Sequence, residues 1–151
     1  IMSEQGKIKI LANNRKANFE YETISKVEAG IVLLGTEVKS IRDSKINLQD
    51  AFARITGGEI WLTNAHISEY KHGNINNHEP TRPRKLLLNK KEIRKLKAQV
   101  EQKGLTLIPL KIYLKDSKIK VELALARGKK IYDKRETIKK RETDRNLQRL
   151  R

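Results

Sequence analysis

The sequence predicts a mainly β protein, a small barrel or sandwich that carries a basic C-terminal tail. Three observations predict it. Lys118 to Leu125 alternates cleanly, placing Ile119, Val121, Leu123 and Leu125 on one face of a strand. Gly57-Gly58 separates two short runs, Phe52–Ile55 and Glu59–Thr63, and reads as a hairpin turn at positive φ. Residues 127–151 hold eleven Lys and Arg against four acids, a net +7, and mark the tail off from the body.

Asn14–Tyr21 is a candidate short helix. Tyr21–Leu34 is a long apolar-rich strand run, and Gly30 inside it predicts a bulge or sharp bend. Gly35–Asp43 suits a short helix with Val38 and Ile41 inward. In the hairpin that follows, Phe52 and Trp61 are expected in the core. Lys71 to Lys85 has almost no apolar content and reads as a long loop, a length usually tied to function or mobility. Asn89 is a good helix cap with Glu92 three residues on, and Ile93, Leu96 and Val100 follow at helical spacing until Gly104. Ile108, Leu110, Ile112 and Leu114 are expected on one face of a strand that turns through Lys115-Asp116-Ser117 into Lys118–Leu125. Pro109 within it predicts an edge, a bulge or a strand start. From 132 onward only Tyr132, Ile138, Leu147 and Leu150 are apolar. Such a tail cannot offset an ordering cost of roughly 1–2 kcal/mol per residue, so it is expected to be disordered alone and helical on a polyanionic surface.

The charge of the chain sets the class of partner. Across 151 residues, 34 Lys and Arg against 18 acids give +16, and a surplus of that size makes a polyanion the default ligand. No apolar stretch approaches the roughly 20 residues that cross a bilayer, and the N-terminus lacks the apolar region of a signal peptide. Ile1 reads as a residue ahead of a start at Met2. The absence of cysteine excludes disulfides and thiolate zinc sites and fits a reducing compartment. Between residues 80 and 97, Arg82, Arg84, Lys85, Lys90, Lys91, Arg94, Lys95 and Lys97 face one acid, Glu92. A small barrel with basic loops favours RNA over DNA, with Tyr21, Tyr70 and Tyr132 available to stack on bases. Catalysis finds little support. Glu28, Glu37, Asp43 and Asp50 show no diagnostic metal spacing, and His66, His72 and His78 recur every six residues, which fits no known zinc motif. No cofactor is expected.

Five motifs in order carry a family resemblance: Leu11–Ala17 (LANNRKA), Glu28–Ile31 (EAGI), Gly35–Arg42 (GTEVKSIR), Arg84–Asn89 (RKLLLN), and Ala126–Lys130 (ARGKK) followed by Asp133-Lys134-Arg135. Together they resemble the small protein B family, the bacterial SsrA-binding proteins, over nearly the whole chain from Lys7. The resemblance implies an OB-type closed antiparallel barrel over 1–131 with about three flanking helices, and a basic tail over 132–151. It implies a cytoplasmic, monomeric adaptor with no enzymatic activity and no membrane contact. Such an adaptor binds the tRNA-like domain of transfer-messenger RNA and delivers it to stalled ribosomes, where the tail becomes helical in the empty mRNA channel beside the decoding region. A general OB-type ribosome-associated factor without that specificity is the alternative. By position in these motifs, Asn14, Arg15, Lys16, Glu28, Lys39, Arg42, Arg84, Lys85, Leu87, Asn89, Lys120, Arg127, Lys129 and Lys130 are expected at the RNA. Gly128, Tyr132, Asp133, Lys134 and Arg135 are expected to act at the ribosome. Some family members carry His where this chain has Tyr132, a change that keeps stacking and removes imidazole protonation.

Overall fold

A computed structural model describes residues 8–70 and 77–129. The tail expected to be disordered lies outside the described residues. Among the described residues the chain is mainly β, with nine strands and three helices. They run β1 (Ile8–Asn13), α1 (Arg15–Glu20), β2 (Tyr21–Ile31), α2 (Gly35–Arg42), β3 (Ile46–Asn47), β4 (Phe52–Thr56), β5 (Glu59–Thr63), β6 (His66–Ile67), β7 (Arg84–Leu87), α3 (Lys90–Lys103), β8 (Thr106–Lys115) and β9 (Lys118–Gly128). Strands β3 and β6 form a small sheet of their own. The other seven are antiparallel in the order β1-β8-β4-β5-β7-β2-β9, and β9 pairs back onto β8. Six strands thus form a ring, and β1 attaches to it along Lys111–Lys115 of β8. The ring is thinnest between β4 and β8, where only Ala53 and Leu107 pair.

Strand alternation fills the ring. Val121, Leu123 and Leu125 of β9 meet Ile60, Leu62, Leu86, Leu107 and Ile112, while α2 adds Ile41 and α3 adds Ile93 and Leu96. Each fully buried Leu or Ile contributes about 1.5–3 kcal/mol of transfer free energy. On the other face of β8 and β9, a second cluster joins Ala17 of α1 to Ile108, Ala124 and Ala126, flanked by Tyr21, Phe52 and Leu110.

Several expectations change. Ile108 and Leu110 do not share a face with Ile112 and Leu114, because the β8 register shifts between Pro109 and Lys111. The irregularity sits beside the residue that has no N–H to pair, and it swaps the parity of everything before it. The turn to β9 is two residues long: Lys115 pairs with Lys118, leaving Asp116 and Ser117 at φ 51° and 68°. Gly30 makes no bulge; the irregularity in β2 lies between Thr23 and Ser25. Gly30 instead pairs with both Leu87 and Lys120, and a Cβ there would stand 3.2 Å from Leu87 Cβ. It is needed for close approach. Trp61 is half-exposed, since Ile60 and Leu62 on either side take the buried face, and Phe52 is half-buried on the second cluster. The loop reading to Lys85 also fails at its end, because β7 starts at Arg84 and His78 is buried. Helix α3 forms as expected: Asn89 Oδ1 accepts the Glu92 N–H at 2.9 Å, and Gly104 closes the helix at φ 63°.

Asn14 ties α1 to the ring. Its Oδ1 accepts the Ala17 N–H at 3.2 Å, and its Nδ2 donates to the carbonyls of Leu48 and Pro109, both at 3.0 Å. Asn14→Ala removes a helix cap, about 1 kcal/mol, and takes the side-chain donor from the Pro109 carbonyl, about 1–3 kcal/mol, while the Leu48 carbonyl keeps the Ala51 N–H at 3.0 Å. The expected loss is at least about 2 kcal/mol, read as a lower urea midpoint with an unchanged slope.

Candidate nucleic-acid interface

The placement of β7 begins with a buried charge. Glu37 in the first turn of α2 is wholly buried, and its Oε1 accepts the Leu34 N–H at 2.8 Å. Its carboxylate also takes Arg84 Nε at 2.6 Å, and Arg82 through Nε at 3.1 Å and Nη2 at 2.5 Å. Arg84, equally buried, spends its remaining donors on the carbonyls of Ala65 (2.7 Å), Pro80 (3.0 Å) and Glu79 (3.3 Å). Burial pushes the Glu37 pKa up, but the hydrogen bonds from Arg82, Leu34 and Arg84 and the Arg84 charge outweigh it, holding the carboxyl below its ordinary value. His78 packs in the same region, with Nε2 2.8 Å from the Ile67 carbonyl and Nδ1 2.9 Å from Thr36 Oγ1. A carbonyl only accepts, so Nε2 carries a proton, and in the neutral ring Nδ1 then accepts from the threonine.

With Arg84 and Leu86 turned inward, Leu87 is forced outward. It is 51% exposed. Across the adjacent strands the register then lines up Leu87 of β7, Gly30 of β2, Lys120 of β9, Tyr113 of β8 and Ile10 of β1. Beside this row lies a cleft of about 360 Å³, floored by Ile31, Leu33, Val38 and Ile119 and edged by Arg42, Lys118 and Lys120. Glu28, two residues before Gly30 in β2, accepts from the Tyr113 hydroxyl and from Lys115 Nζ at 3.4 Å. The Tyr113 hydrogen bond outweighs burial and, with Lys115 and the charge of Lys120, holds Glu28 below the usual carboxylate range. Burial and Glu28 push the Tyr113 hydroxyl far up, so it stays a proton donor. Glu122 pairs with Lys26 and Lys111 at 3.6 Å each. The carboxylates of this face are neutralised from within.

The expected contact residues fall into two groups and several exceptions. Arg42, Leu87 and Lys120 gather at the cleft, with Glu28 beside it and Asn89 two residues past Leu87. Asn89 is exposed and caps α3 through Oδ1, which leaves its amide N–H groups for a partner. Arg15, Lys16, Arg127, Gly128 and Lys129 collect at the far end of the β2–β9 ladder. There Lys129 is stapled to α1, its N–H to the Glu20 carbonyl at 2.8 Å and its Nζ to the Asn18 carbonyl at 2.9 Å. Asn14 stands at this end too, but it is buried and its amide is spent on the fold. Arg84 is a correction: fully buried with every guanidinium nitrogen engaged, it positions β7 and reaches no surface. Lys39 lies 5.3 Å from the centre of the Tyr70 ring, and Lys85 pairs with Glu59 at 3.3 Å. Lys130, Tyr132, Asp133, Lys134 and Arg135 lie outside the described residues. Lys118 and Tyr113 were missed. Lys118 shares the polar face of its strand with Lys120, a signal present in the alternation, and Tyr113 lies opposite Ile112 and Leu114 in the same way, but its bond to Glu28 joins residues far apart in the chain.

Among the described residues no three His, Asp or Glu side chains are gathered as a metal site, and no helix is long and apolar enough to cross a membrane. An apolar-floored cleft edged by cations, with its carboxylates already paired, defines a protein built to hold a polyanion. The chain belongs to the SmpB protein family, whose model matches residues 11–151. It is 59% identical to an SsrA-binding protein of Thermosynechococcus vestitus over 94% of both chains, and 56% identical to one of Enterococcus faecalis over 96% of this chain and 94% of that one. It is also similar to a solved chain described as "tmRNA-SmpB: a journey to the center of the bacterial ribosome", with TM-score 0.68 and 49% identity, covering 84% of this chain and 93% of that one.

Because the Glu37 pKa lies below 4.5, its charged form stabilises the fold above pH 4.5, and that contribution is lost as pH falls through the depressed value. Glu37→Gln leaves Arg84 buried without a counter-charge, at an expected cost of about 3–5 kcal/mol at neutral pH. Urea denaturation at neutral pH and below pH 4.5 checks both effects: the variant loses stability at neutral pH and loses this part of the acid-side slope.

Proposed function

We propose that this chain is an RNA-binding adaptor of trans-translation. It binds the tRNA-like domain of transfer-messenger RNA and brings it to stalled bacterial ribosomes, with no chemistry of its own. The observation that carries this reading is family membership over residues 11–151 together with the cationic cleft at Arg42, Lys118 and Lys120. The strand ring is read as an OB-type closed barrel, an architecture that presents such loops to nucleic acid. Lys118, Lys120 and Arg42 supply phosphate contacts, and Leu87 offers an apolar surface to a base or ribose. Glu28, held by Tyr113, accepts from base amino groups or 2′-hydroxyls and so adds specificity rather than affinity. Residues 132–151 act on the ribosome, in the empty mRNA channel beside the decoding region. The adaptor works as a monomer in the cytoplasm, where ribosomes are.

The decisive experiment is a titration of labelled tRNA-like domain, at fixed near-physiological salt, against excess total tRNA. Binding that survives the competitor supports the reading. Binding removed by it favours a general ribosome-associated RNA-binding factor held by the +16 charge. Lys120→Ala is expected to weaken RNA binding and to make the slope of log affinity against log salt shallower by about 1, the signature of one lost phosphate contact. An unchanged slope removes Lys120 from the phosphate contacts. Deleting 132–151 is expected to spare most RNA binding and abolish peptide tagging in a reconstituted translation assay; equal loss of both defeats that division of labour.

A further inference from the structure

At the end of the β2–β9 ladder remote from the cleft lies a second cavity, of about 240 Å³, between α1, β4 and the start of β8. Tyr21 and Phe52 contribute aromatic wall and Ala17 a small floor. The polar groups are Lys16, Glu20 and Asp50. Lys16 Nζ stands between the two carboxylates, 3.9 Å from Glu20 and 3.5 Å from Asp50. Both contacts are long and solvent-exposed, so a ligand can displace them at little cost. Two carboxylates to one ammonium disfavour phosphate here, which separates this cavity from the cationic cleft.

The geometry points to a binding site for a single unstacked guanine base. Guanine presents two adjacent donors, N1–H and N2–H₂, which a carboxylate accepts in parallel, and an O6 acceptor for Lys16 Nζ. Adenine would set its N1 lone pair against the carboxylate. The aromatic wall supplies the stacking surface that unstacked bases take in RNA recognition. Asn14, fixed to Leu48 and Pro109, holds α1 so that Lys16 and Glu20 keep their places at the mouth. Because Gly128 pairs with Tyr21, a base held here lies next to the last residue of β9.

The test titrates the full chain with guanosine, inosine, adenosine and guanosine 5′-monophosphate, followed by backbone amide shifts. Guanosine is expected to move resonances confined to residues 16–21, 49–52 and 106–108. Inosine, lacking the N2 amine, should bind at least three-fold more weakly, and adenosine at least ten-fold. The monophosphate should bind no tighter than the nucleoside. Glu20→Gln at a half-buried position and Asp50→Asn at an exposed one, both outside the core, should together weaken guanosine at least five-fold. Equal binding of guanosine and adenosine overturns the site, as does tighter binding of the monophosphate with shifts at Arg42 and Lys120, or no confined shifts at all. Such a failure leaves the assignment of the cleft standing, because the two sites are at opposite ends of the ladder.

Discussion

The buried carboxylate of Glu37 is the contact on which the functional surface depends. An ionised group taken wholly out of water is tolerated only when paired and fully hydrogen-bonded. Here one backbone N–H and two guanidinium groups meet that requirement. The consequence is geometric. Arg84 must face inward to reach Glu37, so β7 takes one parity of the two open to it, and Leu87 has to face outward beside Gly30. A one-residue slip of β7 would bury Lys85 and Leu87 and expose Arg84 and Leu86, which the ion pair forbids.

The β2–β9 ladder then acts as a ruler. Gly30 and Lys120 face each other at one end, and Tyr21 and Gly128 at the other. At about 3.3 Å per residue this separates Lys120 at the cleft from Gly128, the last residue of β9, by roughly 27 Å. One end carries cations over an apolar floor. The other carries a mixed set around α1, where Lys129 is bonded to the helix backbone. The two ends of the ladder therefore present chemically different surfaces. Internal pairing of Glu28 and Glu122 also matters, since carboxylates left unpaired on this face would repel phosphate.

The glycine and turn positions show how narrowly the backbone is specified. Gly57 and Gly58 adopt φ of 61° and 75°, as their sequence announces, whereas Asp116 and Ser117 reach similar values without glycine. Strand pairing of Lys115 with Lys118 imposes that turn, so tertiary context overrides the local preference.

Much was legible in the sequence alone. Charge fixed the class of partner, alternation placed the inward face of β9, and Asn89 and Gly104 set the ends of α3, because each is a local property of consecutive residues. The five ordered motifs carried the family. Position in a motif did not disclose which residues face a partner. Asn14 and Arg84 sit in two of those motifs, yet both are spent inside the fold, while Lys118 stands at the cleft and Tyr113 holds Glu28. Those roles were decided by contacts between residues far apart in the chain, Glu37 with Arg84, Asn14 with Pro109 and Glu28 with Tyr113, just as an irregularity beside Pro109 set Ile108 and Leu110 on the face opposite Ile112 and Leu114. Burial and strand parity are properties of paired segments, and no single segment contains them.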